Sequence, residues 1–288
     1  GGGDDSVIVY NADSIANNTL VGGDGTDTLA IAQAGVLEDE DMAGLSGFEV
    51  LQAAQSGASQ ITVGENAEVG GLLQVIGGDD NDVLDASDYK GAVTLMGGEG
   101  DDSLVVSTGD RLGQQEIIGG AGTDTLAFAV EGLSVTQADL LLTAFPNAAI
   151  NSSIEYLKMA DGNNRLILDV FEGSIVSADI RLGLSTIEGG SGKDTLSAAG
   201  FTSSVTLIGG EEDDSLIGGS GNDSLFGNNG DDVLDGGAGI DSMNGGLGSD
   251  TYYIGDAGDW AIEDHNADEL ELNWLIVDGE VDLEDINT

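Results

Sequence analysis

No cysteine occurs in this 288-residue chain, which excludes disulfides, thiolate metal sites and a cysteine nucleophile. A single proline, Pro146, accompanies 48 glycines, so neither a collagen-like nor a polyproline reading holds. Basic residues number six against 54 acidic ones, giving a formal net charge of -48. A compact body with that charge repels itself unless cations neutralise it. It is a poor partner for nucleic acid or an anionic membrane surface. No apolar run approaches the ~18 residues of a transmembrane helix, and no signal peptide opens the sequence. If the protein is exported, its address is expected elsewhere, or the chain is a piece of a longer one.

Catalytic groups are equally scarce. The one histidine, His265, stands between Asp264 and Asn266 and reads as a surface residue. A Ser–His–Asp set would depend on it, and no GxSxG marks a strand-to-helix turn. Lys90, Arg111, Lys158, Arg165, Arg181 and Lys193 are scattered singly and make no polyanion cleft. Carboxylates are too common to single out an acid and a base. The expectation is a chain that is not an enzyme.

What is plentiful is ordered. Residues 209–253 read GGEEDDSLI, GGSGNDSLF, GNNGDDVLD, GGAGIDSMN, GGLGSDTYY without a gap. Five further copies begin at Gly22, Gly77, Gly97, Gly119 and Gly189. Every copy has Gly at position one, Asp at position six and an apolar or aromatic residue at position eight. Position two departs from Gly only at Asn228, and position four only at Asp80 and Glu212. Glycines permit a tight turn with close backbone approach. The Asp places a carboxylate at that turn, and residues seven to nine form a short strand with position eight pointing inward. Stacked turns then present carbonyl and carboxylate oxygens in rows. Six to eight oxygens at ~2.3–2.6 Å are what Ca²⁺ takes, whereas Mg²⁺ keeps its waters.

This pattern, GGxGxDxUx, resembles the RTX (hemolysin-type) calcium-binding repeat. The resemblance implies an all-β fold: a right-handed parallel β-roll or β-helix solenoid with calcium-binding turns and short helical insertions. It implies several Ca²⁺ ions held by Asp27, Asp82, Asp102, Asp124, Asp194, Asp214, Asp223, Asp232, Asp241 and Asp250. Asp5, in GGGDDSV, looks like an eleventh ligand. The turn glycines of these sites are Gly22, Gly77, Gly97, Gly119, Gly189, Gly209, Gly218, Gly221, Gly227, Gly236, Gly239, Gly245 and Gly248. Asp80 and Glu212 replace a turn glycine and put their own turns in question.

A larger repeat contains the smaller one. Residues 1–9 match 98–106 and the Gly22 copy matches the Gly119 copy, both offset by 97 residues. NDVLDASDYKGAVTLMGGEGDDSL (81–104) matches KDTLSAAGFTSSVTLIGGEEDDSL (193–216). The chain divides into super-repeats 1–97 and 98–208, the contiguous array 209–253, and 254–288 as a cap or the start of a next element. Asp spacings of 18–22 residues predict coils of about 20 residues with two strands each. Asp82, Asp102 and Asp124 are expected along one edge, and Asp194, Asp214, Asp232 and Asp250 along the corresponding edge further on. Asp223 and Asp241 are expected on the opposite edge, in the only region with sites on both sides. The far edge of the 20-residue coils, ASDYKGAV or AAGFTSSV, lacks the motif and is expected to turn without metal. Short helices are expected at 38–45 and 135–145.

Two roles compete on these residues. The first is a secreted structural protein of a bacterial cell surface or extracellular matrix, an S-layer, filament or adhesin segment. It would fold on calcium and self-associate or join neighbouring repeats of a longer chain. It resembles RTX surface-layer and matrix proteins. The second is an accessory RTX domain of a secreted enzyme or toxin. An upstream catalytic domain in the same gene would decide for the second.

Overall fold

A computed structural model describes residues 1–16, 18–107, 115–129, 134–136, 154–160, 162, 164–167, 184–262 and 274–277. The chain forms two compact units, Gly1–Ala129 with Asp139–Ile154, and Val130–Ala138 with Glu155–Thr288. Each is a β-solenoid of parallel strands, as the resemblance implies.

In the first unit one sheet runs Ser6–Val9, Thr28–Ile31, Val50–Gln52, Gln74–Ile76, Val93–Glu99, Gln115–Ala121. The other runs Val36–Leu37, Gln60–Thr62, Val83–Ala86, Ser103–Val106, Thr125–Phe128. From Thr28–Ile31 on, the chain visits these two sheets alternately, so each coil contributes one strand to each, and Leu20–Val21 pairs with Leu45–Ser46 in a separate two-stranded sheet. In the second unit one sheet runs Tyr156–Lys158, Thr186–Ser191, Thr206–Glu211, Ser224–Asn229, Ser242–Leu247, Trp260–Ile262. Its partner runs Ser134–Thr136, Arg165–Ile167, Thr195–Ser197, Ser215–Ile217, Val233–Asp235, Thr251–Ile254, Trp274–Val277. Ser103 pairs with Thr125, and Ser224 with Ser242. The coil is thus 22 residues in the first case and 18 in the second, as the Asp spacing predicts.

The core follows from the motif. Leu29, Leu84, Leu104, Leu126, Leu196, Leu216, Leu225, Leu234, Met243 and Tyr252, all at position eight, are buried. Positions seven and nine face outward, so a three-residue strand buries one side chain per pass. The far edges that lack the motif are filled by aromatics instead: Tyr89 and Phe201 are buried, and the Tyr89 hydroxyl donates to the Leu72 carbonyl.

Several expectations need revision. The helix expected over 38–45 is a 3₁₀ helix, Asp39–Gly44. A further helix, Glu65–Gly70, had no clear sequence signal. Its N-terminal amides are capped from the coil before: Asp39 accepts from Gly64, Asn66 and Ala67 N–H at 2.8–3.0 Å. Over 135–145, Val135 and Thr136 lie in a strand, and the remainder falls outside the described residues. So do Pro146, His265, Arg111 and Arg181. Coils also continue past residue 253, because Trp260 pairs with Ser242 and Trp274 with Thr251.

Candidate metal-binding turns

The motif aspartates form ladders. One carboxylate oxygen, Oδ1, accepts the N–H of the residue in register one coil earlier. In the first unit Asp82 accepts from Ser59, Asp102 from Asp82 and Asp124 from Asp102, at 2.6–2.9 Å. On the other edge Asp27 accepts from Asp5, and Glu49 Oε2 from Asp27, at 2.7 and 2.8 Å. In the second unit one row runs Asn164, Asp194, Asp214, Asp232, Asp250, with distances of 2.7–2.8 Å. The opposite row runs Val205, Asp223, Asp241, Asp259, at 2.8–3.0 Å.

The expected rows are therefore present. The region 209–253 is not alone in carrying motif turns on both edges, because Asp27 flanks one sheet of the first unit and Asp82, Asp102 and Asp124 flank the other. Asp5 differs from the rest: its side chain is half exposed and faces the terminal amine of Gly1 at 3.2 Å.

The second oxygen of each carboxylate explains the invariant glycine at position one. A Cβ on Gly97, Gly209, Gly227 or Gly236 would collide with Oδ2 of Asp102, Asp214, Asp232 or Asp241, five residues on. On Gly22, Gly77, Gly97, Gly189, Gly218 or Gly227 it would also meet a carbonyl of the next coil, which is position one of that coil's turn everywhere except Gly47 beside Gly22. At Gly245 the same place holds Asp250 Oδ2 and the Tyr252 hydroxyl. The glycines at 22, 77, 97, 189, 218 and 227 thus leave a cradle where a carboxylate oxygen meets backbone oxygen. Positions two and four let the turns stack. A Cβ on Gly239 or Gly248 would strike the carbonyl of Gly221 or Gly230 in the coil before.

The cradle is costly without a cation. Asp27, Asp102, Asp214, Asp232 and Asp241 are at most 3% exposed, and their Oδ2 atoms have no hydrogen-bond partner. Desolvation raises the pKa of Asp102 and Asp241 to about 6, Asp232 to about 7 and Asp214 to about 8. Neighbouring carboxylates in the same row push in the same direction, Asp124 and Asp82 on Asp102, Asp232 and Asp194 on Asp214. Buried Asp82 and Asp223 are raised too, again by desolvation first. Two unit charges one coil apart, at ~4.8 Å, repel by about 3.5 kcal/mol at an effective dielectric of ~20. A bound divalent ion removes both penalties.

The donor set suits a hard cation. Among the described residues no three carboxylates or imidazoles cluster. The oxygens come from one carboxylate and stacked backbone carbonyls, a set that fits Ca²⁺ rather than zinc or copper.

Sequence reasoning missed three participants. Glu49 ends a row in a coil without the motif. Asp259 sits in GDAGDW, a motif shortened by one residue. A second, exposed ladder runs along position five: Thr123 and Asp101 N–H donate to Asp101 and Asn81, and Ser249 and Asp231 N–H to Asp231 and Asp213, at 2.8–3.1 Å. The frequent Asp and Asn at that position were its visible signal. Lys193 occupies the same position and pairs with Asp213.

The RTX calcium-binding nonapeptide repeat family, in its four-copy form, matches residues 14–30, 76–111, 183–202, 208–243 and 226–260. These spans contain every motif aspartate from Asp27 to Asp250 except Asp124, and Asp5 lies outside them. No curated protein matches the chain.

Proposed function

Because this chain is built on the RTX calcium-binding nonapeptide repeat, we propose that it is a secreted structural protein whose coils lock onto calcium. Calcium would be held by Asp27, Asp102, Asp124, Asp194, Asp214, Asp232, Asp241 and Asp250, with carbonyls of adjacent coils. The observation that carries this reading is that the buried Oδ2 atoms of Asp27, Asp102, Asp214, Asp232 and Asp241 have no hydrogen-bond partner and face position-one cradles. Bound calcium would neutralise the rows and tie each coil to its neighbour. In a medium poor in calcium the same charges would hold the chain open, which suits passage through a secretion channel. The ~100-residue super-repeat supports a role in a surface layer, filament or matrix, because repetition supplies length and surface rather than chemistry.

The test is a calcium titration followed by circular dichroism and light scattering, reversed with EGTA. β-Structure that appears with calcium, followed by growth into sheets or fibres, supports the structural role. Folding to a stable monomer would favour an accessory calcium domain of a larger secreted protein. Full β-structure in EGTA at neutral pH would overturn calcium-driven folding.

A further inference from the structure

Two rows open on a turn that matches the motif but is built differently. In the turns 22–27, 97–102, 119–124, 189–194, 209–214, 227–232, 236–241 and 245–250, positions two and four both have positive φ, as at Gly98 (122°) and Gly100 (109°). In the turns 77–82 and 218–223 neither position does, whether Gly78 and Asp80 or Gly219 and Gly221. There the position-two amide swings onto the aspartate. Gly78 N–H donates to Asp82 Oδ2 and Gly219 N–H to Asp223 Oδ2, each at 2.6 Å. This is the oxygen that has no hydrogen-bond partner at Asp27, Asp102, Asp214, Asp232 and Asp241.

The third row opens on Asn164, in register with Asp194 but lacking the motif. Its Nδ2 lies 2.6 Å from the Ala160 carbonyl, 2.7 Å from that of Gly162 and 3.2 Å from that of Gly189. Three carbonyl oxygens from two coils thus converge on one NH₂ group, and only the donor end of the amide can satisfy them. Gly189 is position one of the next coil, the position whose carbonyl faces the cradle elsewhere.

We infer that the first turn of each of these three rows is a cation-free plug, in which the protein's own N–H groups take the place an ion takes further along. Asp82 and Asp223 are then ladder members but not calcium ligands, although their motif is intact. The Asp223 row is closed at its other end as well, since Asp259 Oδ2 accepts from Gly255 and Asp256 N–H at 3.1 and 2.9 Å. Only the 236–241 turn is open between those ends. The carbonyl of the next coil faces position one here as elsewhere, Gly97 at Gly77 and Gly236 at Gly218. What differs is that an N–H already satisfies the inward oxygen, so an ion would have to displace that bond. An internal donor satisfies the buried carboxylate or carbonyls without the ion.

This inference rests on the calcium reading above. The experiment is calcium stoichiometry by equilibrium dialysis on the parent, Asp223→Asn, Asp241→Asn and Asn164→Asp, with circular dichroism confirming the fold. The expected result is an unchanged count for Asp223→Asn, a loss of at least one ion for Asp241→Asn, and a gain of one for Asn164→Asp. Equal losses in Asp223→Asn and Asp241→Asn, or no gain in Asn164→Asp, would overturn the plugs while leaving calcium binding intact. If Asp223→Asn does not fold, the count for Asn164→Asp decides alone. A parent that binds no calcium sinks the calcium reading, and the plugs with it.

Discussion

Calcium-free protein should be more stable in mild acid than at neutral pH, the reverse of the common pattern for carboxylates. Unfolded aspartates titrate near ~3.9. In the fold, burial raises Asp102 and Asp241 to about 6, Asp232 to about 7 and Asp214 to about 8. Between those limits the folded chain holds more protons than the unfolded one, so stability falls as pH rises. Each such carboxyl steepens the fall by up to roughly 1.4 kcal/mol per pH unit. The full contribution is present below the unfolded pKa and is lost as pH passes through 6 to 8. The assay is urea unfolding in EGTA from pH 5 to pH 8, read by circular dichroism. The expected midpoint drops steadily across that range, and about 1 mM calcium, the upper end for extracellular modules, abolishes the drop at pH 7 and above. A calcium-free midpoint that rises or stays level from pH 5 to pH 8 would refute the argument, because it would mean that the buried oxygens are satisfied without proton or ion.

Three substitutions probe other parts of the fold. Glu212 holds φ at 71° where glycine usually stands, and the left-handed region costs a side chain roughly 1–2 kcal/mol. Glu212→Gly should therefore stabilise the calcium-loaded protein by about 1 kcal/mol in urea. Gly227→Ala should cost at least one bound calcium by dialysis, because its Cβ would take the place of Asp232 Oδ2. Asp39→Ala removes the cap of helix Glu65–Gly70 and should lower stability by roughly 1–2 kcal/mol, with calcium stoichiometry unchanged.

The coils were legible in the sequence because each rests on a local rule. Position eight points inward because strands alternate, and Asp spacing fixes coil length, so Leu29 through Tyr252 and three of the four rows could be placed from residue numbers alone; the Asp27 row on the opposite edge of the first unit was not. The plugs were not legible, because 77–82 and 218–223 carry the motif and differ only in backbone conformation. One clue was present but ambiguous. Asp80 and Glu212 both replace a turn glycine, yet Asp80 sits where no positive φ is needed and Glu212 where it is. The sequence shows the same departure at both. Glu49 and the Asp39 cap were hidden for other reasons: Glu49 keeps the 22-residue spacing but stands in a coil without the motif, and Asp39 acts on residues 25–28 positions away, beyond the spacing of the repeat.

The motif aspartate has two separable roles, and their balance explains why the fold should depend on the ion. Oδ1 staples one coil to the coil before it, a bond that a neutral carboxyl or an amide could also accept. Oδ2 contributes nothing to that staple and carries the desolvation and repulsion. A buried leucine at position eight stabilises its coil by about 1.5–3 kcal/mol, while neighbouring charges along a row oppose stacking by about 3.5 kcal/mol. Longer strands bury a second apolar side chain, as Ile31 beside Leu29 and Val106 beside Leu104, so the charge rows oppose a core that they do not fully cancel. The occupancy of Oδ2 shifts that balance: proton, ion or internal N–H each tips it toward the coil, and bare carboxylate tips it away. Because each coil stacks mainly on its neighbours, a turn that needs no ion gives the ordered stack a starting point from which ion-dependent turns can add in sequence.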